Sequence, residues 1–244
     1  MNRELVKAYI DKQPLKVVES INLGRNKIQY GGITQGQTIN EIKGDEELSR
    51  AFLLTRLVNE LGYAADRIEI EHEYTAGRPH TNTSRIDIIV RDASGDAFLF
   101  IECKSPDAYA SDDKDQIIEE QLFKVAGMER TDGHKVRYLV LYTTGEVNNK
   151  VIDECMIIDT EKFPTFTDWE ISRDFTNTLP ARYGKAQKIP YVKKSDKDLE
   201  KDFKNEMLTQ LQTDLHNVLW GGGGTDDNEV FSSLTNLILA KIQD

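Results

Sequence analysis

The apolar and polar positions along this chain change period several times, and each change predicts an element. In GDEELSRAFLLTRLVNELGY, Leu48, Ala51, Phe52, Leu54, Leu57, Val58 and Leu61 recur at the spacing of an amphipathic helix, which Gly62 stops. RIEIEHEYTAGR alternates Ile68, Ile70 and His72 against Glu69, Glu71 and Glu73, which predicts a half-exposed strand. SRIDIIV and AFLFIECKS are apolar on both faces and are separated by Asp92-Ala93-Ser94-Gly95-Asp96, the signature of two central strands joined as a hairpin. A polar loop with Asp107, Asp112 and Asp113 leads into a second helix, DQIIEEQLFKVAGMER, and KVRYLVLYTT supplies a further buried strand. Helix, three strands, helix, strand is the order of an α/β core with a mixed central sheet.

The hairpin carries the candidate chemistry. Strand alternation places Phe98, Phe100, Glu102 and Lys104 on one face and Leu99, Ile101 and Cys103 on the other. Folding about the turn sets Val90 opposite Leu99 and Asp87 opposite Glu102. Two like charges facing each other at the end of a buried run are unfavourable, and a divalent cation reverses the sign. Hard oxygen ligands at this spacing suit Mg²⁺, and Lys104 beside them is a point charge for a phosphate oxygen or an attacking water. The bland alternative is a solvated strand end with a weak surface pair, which buried flanking sequence disfavours.

These residues, in this order of elements, resemble the nuclease domain at the N-terminus of type I restriction enzyme R subunits, a member of the PD-(D/E)xK superfamily. The resemblance covers about residues 40 to 145. The family's helix with Glu-Glu-x-x-Arg matches Glu46-Glu47-Leu48-Ser49-Arg50, its metal-binding Asp falls on Asp87, and its Glu-x-Lys falls on Glu102, Cys103 and Lys104. Its Gln-x-x-x-Tyr falls on QLFKV, so Gln121 matches and Val125 replaces the Tyr; Ile86 stands where the superfamily's Pro would be. The resemblance implies a restriction-endonuclease-like PD-(D/E)xK fold and Mg²⁺-dependent hydrolysis of DNA, with Mn²⁺ as a substitute. Asp87, Glu102 and the backbone carbonyl of Cys103 would ligate the metal. Lys104 would orient or deprotonate water, Glu47 would complete the carboxylate set, and Gln121 would bond the Lys or the DNA backbone. Glu47 is equally well read as a first-turn acid serving the helix dipole, and Gln121 as a solvated helix position.

Composition limits the setting. The 244 residues are 39% hydrophobic, with a mean hydropathy of −0.53. No apolar run reaches membrane-spanning length, and MNRELVKAYIDK is too charged for a signal peptide. Cys103 and Cys155 form neither a disulfide framework nor a zinc motif, and a reducing cytoplasm is expected. His72, His80, His134 and His216 lack ligand spacing, and Ser84 and Ser105 have no nucleophile partner. The formal charge of −11 is unusual for a chain that grips DNA by itself, so other restriction-modification domains or subunits are expected to hold it.

The flanks fill out the organisation. Residues 1–40 read as a short helix and Gly-punctuated strands capping a nuclease core and appendage at 41–178. In the appendage Phe163, Phe166, Trp169 and Phe175 favour packing over base stacking. Residues 179–197, which contain Pro180 and Pro190 and are rich in Arg and Lys, read as a linker. Residues 198–244 read as a helical extension, with Leu199, Phe203, Met207, Leu211, Leu215 and Leu219 on one stripe and a hinge at Gly221 to Gly224. LHNVLWGGGG and NEVFSSLTNLILAKI resemble the lead-in to the helical domain of adenine-specific DNA methyltransferases, so the chain is expected to be a fragment of a longer restriction-modification polypeptide. Phosphate-loop and Asn-Pro-Pro-Tyr motifs are absent from the sequence. Two readings stand: an active endonuclease domain of a restriction system, or a degenerate nuclease fold serving as an interaction or DNA-positioning module. A repair or recombination nuclease of the same superfamily is the third.

Overall fold

The computed structural model describes residues 1–76 and 82–186. The chain divides into two units, Met1–Pro190 and Tyr191–Asp244, and the second lies outside the described residues. The expected extension at 198–244, the last eleven residues of the expected linker and His80 therefore lie outside them too. Among the described residues no helix is long and apolar enough to cross a membrane.

Six strands form one mixed sheet in the order β3 (Thr34–Gln35), β4 (Ile68–Ala76), β5 (Asn82–Arg91), β6 (Ala97–Cys103), β7 (Val136–Val147) and β8 (Lys150–Asp159). The β3–β4 and β6–β7 pairs are parallel and the others antiparallel. The hairpin register expected from the sequence holds, with Val90 opposite Leu99 and Ile88 opposite Ile101. All of β6 is buried, as its two-faced apolar run requires of a central strand.

One apolar cluster fills each side of the sheet. On one side α1 (Arg3–Lys12) and α2 (Asp45–Asn59) bring Val6, Ile10, Leu48, Phe52 and Leu57 against Leu99, Ile101 and Cys103, with the two-stranded ribbon of β1 (Val18–Asn22) and β2 (Lys27–Tyr30) beside them. On the other, Ile118, Leu122, Val125, Trp169 and Phe163 pack on Phe100, Ile86 and Ile89. The second expected helix is continuous but not uniform: α4 (Lys114–Ile117) runs through a π-helical turn (Ile118–Phe123) into α5 (Lys124–Thr131).

Several local expectations are corrected. The loop carrying Asp107 is a short helix, α3 (Pro106–Ser111), because Ser105 caps it and Pro106 opens it. The appendage begins with a strand: Val147-Asn148-Asn149-Lys150 turns the chain with both Asn residues at positive φ, and β8 returns along β7. Phe163 and Trp169 are core residues, the latter on α6 (Phe166–Ser172). Phe98 leaves the Phe100 face for the Leu99 cluster, since the register shifts between Val90 and Arg91 and the extra residue turns it over. The alternation in β4 breaks at Glu71, whose φ of 54° sends Tyr74 to the opposite cluster from Ile70. Residues 179–186 of the expected linker lie on the core: Tyr63 donates to the Pro180 carbonyl at 2.6 Å, and the Tyr183 ring meets Tyr63 and Phe98.

Candidate active site

Four elements converge where β5 and β6 lie side by side. Asp87 is on β5, Glu102 on β6 and Lys104 just beyond it, where its amide continues the ladder to the Tyr142 carbonyl at 2.8 Å. Asp87 and Glu102 are both buried. One Asp87 oxygen accepts the Cys103 amide at 2.7 Å, tying the two strands at this level, and the other accepts from the Arg50 guanidinium. Lys104 Nζ donates to Glu102 at 2.7 Å and to Gln121 at 2.8 Å. Gln121 sits on the π-helical turn, where the wider coil changes which side chains reach the sheet. Val125 is buried in the apolar cluster instead, so the position of the missing Tyr serves packing.

The first turns of α2 supply the third wall. Glu47 does not line the cavity; it accepts from the Tyr30 hydroxyl and from Arg50 Nη1, the latter at 2.8 Å, and so anchors the arginine. Glu46 lines the cavity in its place. Arg50 is 3% exposed and binds three carboxylates, Glu47, Asp87 and, at 2.7 Å, Glu71; its Nε is buried without a partner. Glu71 is turned toward it by the left-handed backbone of β4 and also binds Arg85 at 2.7 Å. Together Glu46, Glu71, Glu73, Asp87 and Glu102, with Arg50 and Arg85, surround a cavity of about 270 Å³.

The electrostatics follow from this crowding. Burial and the neighbouring Asp87 charge push the Glu102 carboxyl up to about 8, despite the Lys104 ion pair. Burial, with Asp87 beside it, also raises Glu46, and burial raises Glu47 against the pull of Arg50. Burial works to neutralise Lys104, but Glu102, Glu46 and Asp87 outweigh it, so the amine is held charged. The pocket therefore carries more negative charge than its own cations neutralise.

Of the residues expected from sequence, Asp87 and Glu102 line the cavity, Lys104 and Gln121 adjoin it through the Lys104 bond to Glu102, the Cys103 amide is bonded to Asp87, and Glu47 reaches Asp87 through Arg50. Sequence reasoning passed over Glu46, Arg50 and Arg85 as actors and lost Glu71 to an ideal alternation. Arg50 had a signal, lying one helical turn after Glu47 on the core-facing stripe. Glu71 had none, because its strand kink is invisible in a pattern of alternating Ile and Glu.

A mixed sheet flanked by helices, with paired acids and a lysine on adjacent central strands, defines the α/β class with a buried acidic site. Residues 45–145 match the family described as type I restriction enzyme R protein N terminus. The match spans α2 through most of β7 and contains every acid of the site. No curated protein matches the chain.

Proposed function

We propose that this chain is the Mg²⁺-dependent DNA endonuclease domain of a type I-like restriction-modification system, built on a PD-(D/E)xK core. The observation that carries the reading is the meeting of Asp87, Glu102 and Lys104 on neighbouring central strands, with Gln121 reaching Lys104 from the helix behind. The donor set suits Mg²⁺. Asp87 and Glu102 offer two carboxylates on adjacent strands, and Mg²⁺ characteristically takes one or two carboxylates and keeps several waters. Burial and the Asp87 charge raise the Glu102 carboxyl even though Lys104 pairs with it, and a divalent cation between the two carboxylates would oppose both effects.

Asp87 and Glu102 would hold the ion, with the Cys103 carbonyl as a further donor. Mg²⁺ would supply charge stabilisation at the phosphoryl oxygens and acidify the attacking water. Lys104, fixed between Glu102 and Gln121, hydrogen-bonds that water and faces the negative charge growing on the phosphate. Glu46, whose raised proton affinity suits it as a base, takes the water's proton. The new bond joins the water oxygen to phosphorus, and the bond from phosphorus to a deoxyribose oxygen breaks. Arg50, held by Glu47, positions Asp87. The partners that follow are DNA and the methyltransferase, specificity and motor components of the same system, which would hold the DNA for a chain of charge −11.

The second reading, a catalytically degenerate module, draws on Arg50 occupying one Asp87 oxygen and on Val125 replacing the family's Tyr. Calorimetric titration of Mg²⁺ and Mn²⁺ into wild type, Asp87→Ala and Glu102→Ala, with plasmid nicking alongside, separates the two. Binding and nicking lost in both variants are expected. A wild type that binds neither ion, even with DNA present, leaves the degenerate module as the better account.

A further inference from the structure

Next to the carboxylate cavity lies a second cleft of about 410 Å³, between the β1–β2 ribbon and the segment that follows β3. Its walls include Ser20, Lys27, Gln29, Gln35, Thr38 and Asn40, and among the described residues no carboxylate lines it. The contrast with its neighbours is chemical. Five acids line the candidate active site, and Asp92, Asp96 and Glu161 line a larger cleft beside the β5–β6 turn. Arg130, Lys135 and Arg137 offset the acids of that larger cleft, whereas the lining beside β1 and β2 carries the cation Lys27, with Glu41 and Glu19 bound to Lys27 and Gln29 from outside it; in a chain of charge −11 such a lining repels a phosphodiester backbone less than the carboxylate cavity does.

The cleft is linked to the cavity through one intervening residue at each of three places. Gln35 pairs with Ile70, the residue before Glu71. Gln37 accepts from Arg85 at 2.8 Å, and Arg85 lines the carboxylate cavity. Tyr30 lines the cleft and donates to Glu47, which holds Arg50. The close packing is enforced at Gly36, where a Cβ would fall 2.2 Å from the Glu71 carbonyl oxygen. The cleft also presents unused hydrogen-bonding groups: the side chains of Ser20, Thr38 and Asn40 are exposed and make no hydrogen bond among the described residues. Lys27 is paired only with Glu41, at 2.8 Å on the surface, a contact easily exchanged for a phosphate.

We propose that one DNA strand runs from the carboxylate cavity across this cleft, its backbone phosphates received by Lys27, Thr38 and Asn40, with Arg85 at the junction. The inference rests on the nuclease reading and adds the path of the substrate. Among the described residues the one aromatic ring lining the cleft, Tyr30, is buried, so these residues offer no platform for stacking bases and their contacts read backbone, not sequence.

The test is fluorescence anisotropy of a labelled duplex on the 244-residue chain with Ca²⁺ in place of Mg²⁺, and plasmid nicking with Mg²⁺. Thr38→Glu and Lys27→Glu are expected to weaken DNA binding about tenfold and to raise KM at unchanged kcat, roughly 1.4 kcal/mol of binding. Lys27→Ala should reduce the slope of log affinity against log salt by about 1. Circular dichroism and Mg²⁺ affinity should be unchanged in all three. Lys135→Glu, beside the β5–β6 turn cleft, is the control for a general charge effect and should leave affinity unchanged. A wild type that nicks DNA while Thr38→Glu keeps its KM, or a Lys135→Glu loss equal to that of Thr38→Glu, overturns the path and leaves the nuclease reading standing. A wild type with neither Mg²⁺ affinity nor nicking overturns that reading and the path with it.

Discussion

Glu102 is the residue at which burial, charge and chemistry compete most directly. Its carboxyl is held up at about 8 first by burial and then by Asp87, whereas an unfolded glutamate titrates near the ordinary value. A group raised in the folded state contributes stability that is complete below the unfolded pKa and is lost as pH climbs through the folded one. Metal-free protein is therefore expected to lose thermal stability between about pH 4.5 and pH 8, a loss that differential scanning calorimetry would measure and that Glu102→Gln should flatten. Mg²⁺ binding near pH 7 should release a proton, visible as a calorimetric heat that changes with buffer ionisation enthalpy; an identical heat in every buffer would contradict the assignment. Arg50 is the complementary case. It is a buried cation among Glu47, Glu71 and Asp87, and Arg50→Ala removes the cation that Glu47 and Asp87 share and leaves Glu71 with Arg85 alone. The expected cost is about 3–5 kcal/mol in urea denaturation, against little change for a surface pair such as Lys124→Ala.

The elements that build the site were legible in unequal measure. The α2 stripe, the β5–β6 hairpin and its register were readable because two periods, helical and alternating, are written into apolar residues that the core then buries. β8 was missed because KVIDECMIID interrupts its apolar run with acids, although the Asn148-Asn149 turn before it was a hairpin signal. The π-helical turn and the Glu71 kink leave no trace in composition, being set by what they pack against. Gln121 reaches Lys104 from that turn, so Gln121→Ala should lower nicking about 10- to 100-fold with Mg²⁺ affinity nearly unchanged, the pattern of a supporting residue. The β3–β4 edge gives a second expectation. Gly36→Ala forces a Cβ against the Glu71 backbone and should cost about 1–3 kcal/mol, and because Glu71 moves with it, nicking should fall by more than the loss of folded protein explains.

For the molecule as a whole, the charge of −11 means that any divalent cation will screen self-repulsion and raise the melting temperature somewhat, whether or not a site exists. A stabilisation by Mg²⁺ is informative only as a difference. Binding to the folded state alone contributes about 2.7 kcal/mol at a hundred times Kd, and this part should appear in wild type and vanish in Asp87→Asn, whereas the screening part should persist in both and be reproduced by NaCl at equal ionic strength. The two contributions also differ in pH dependence. Screening weakens smoothly as the surface acids protonate, but site binding competes with the proton on Glu102 and should strengthen between pH 6 and pH 8, where the carboxyl near 8 gives that proton up. Thermal melts of the two proteins with and without Mg²⁺ across that window would separate them. Equal shifts in wild type and Asp87→Asn at every pH would mean that the acidic cavity is only part of a diffuse acidic surface.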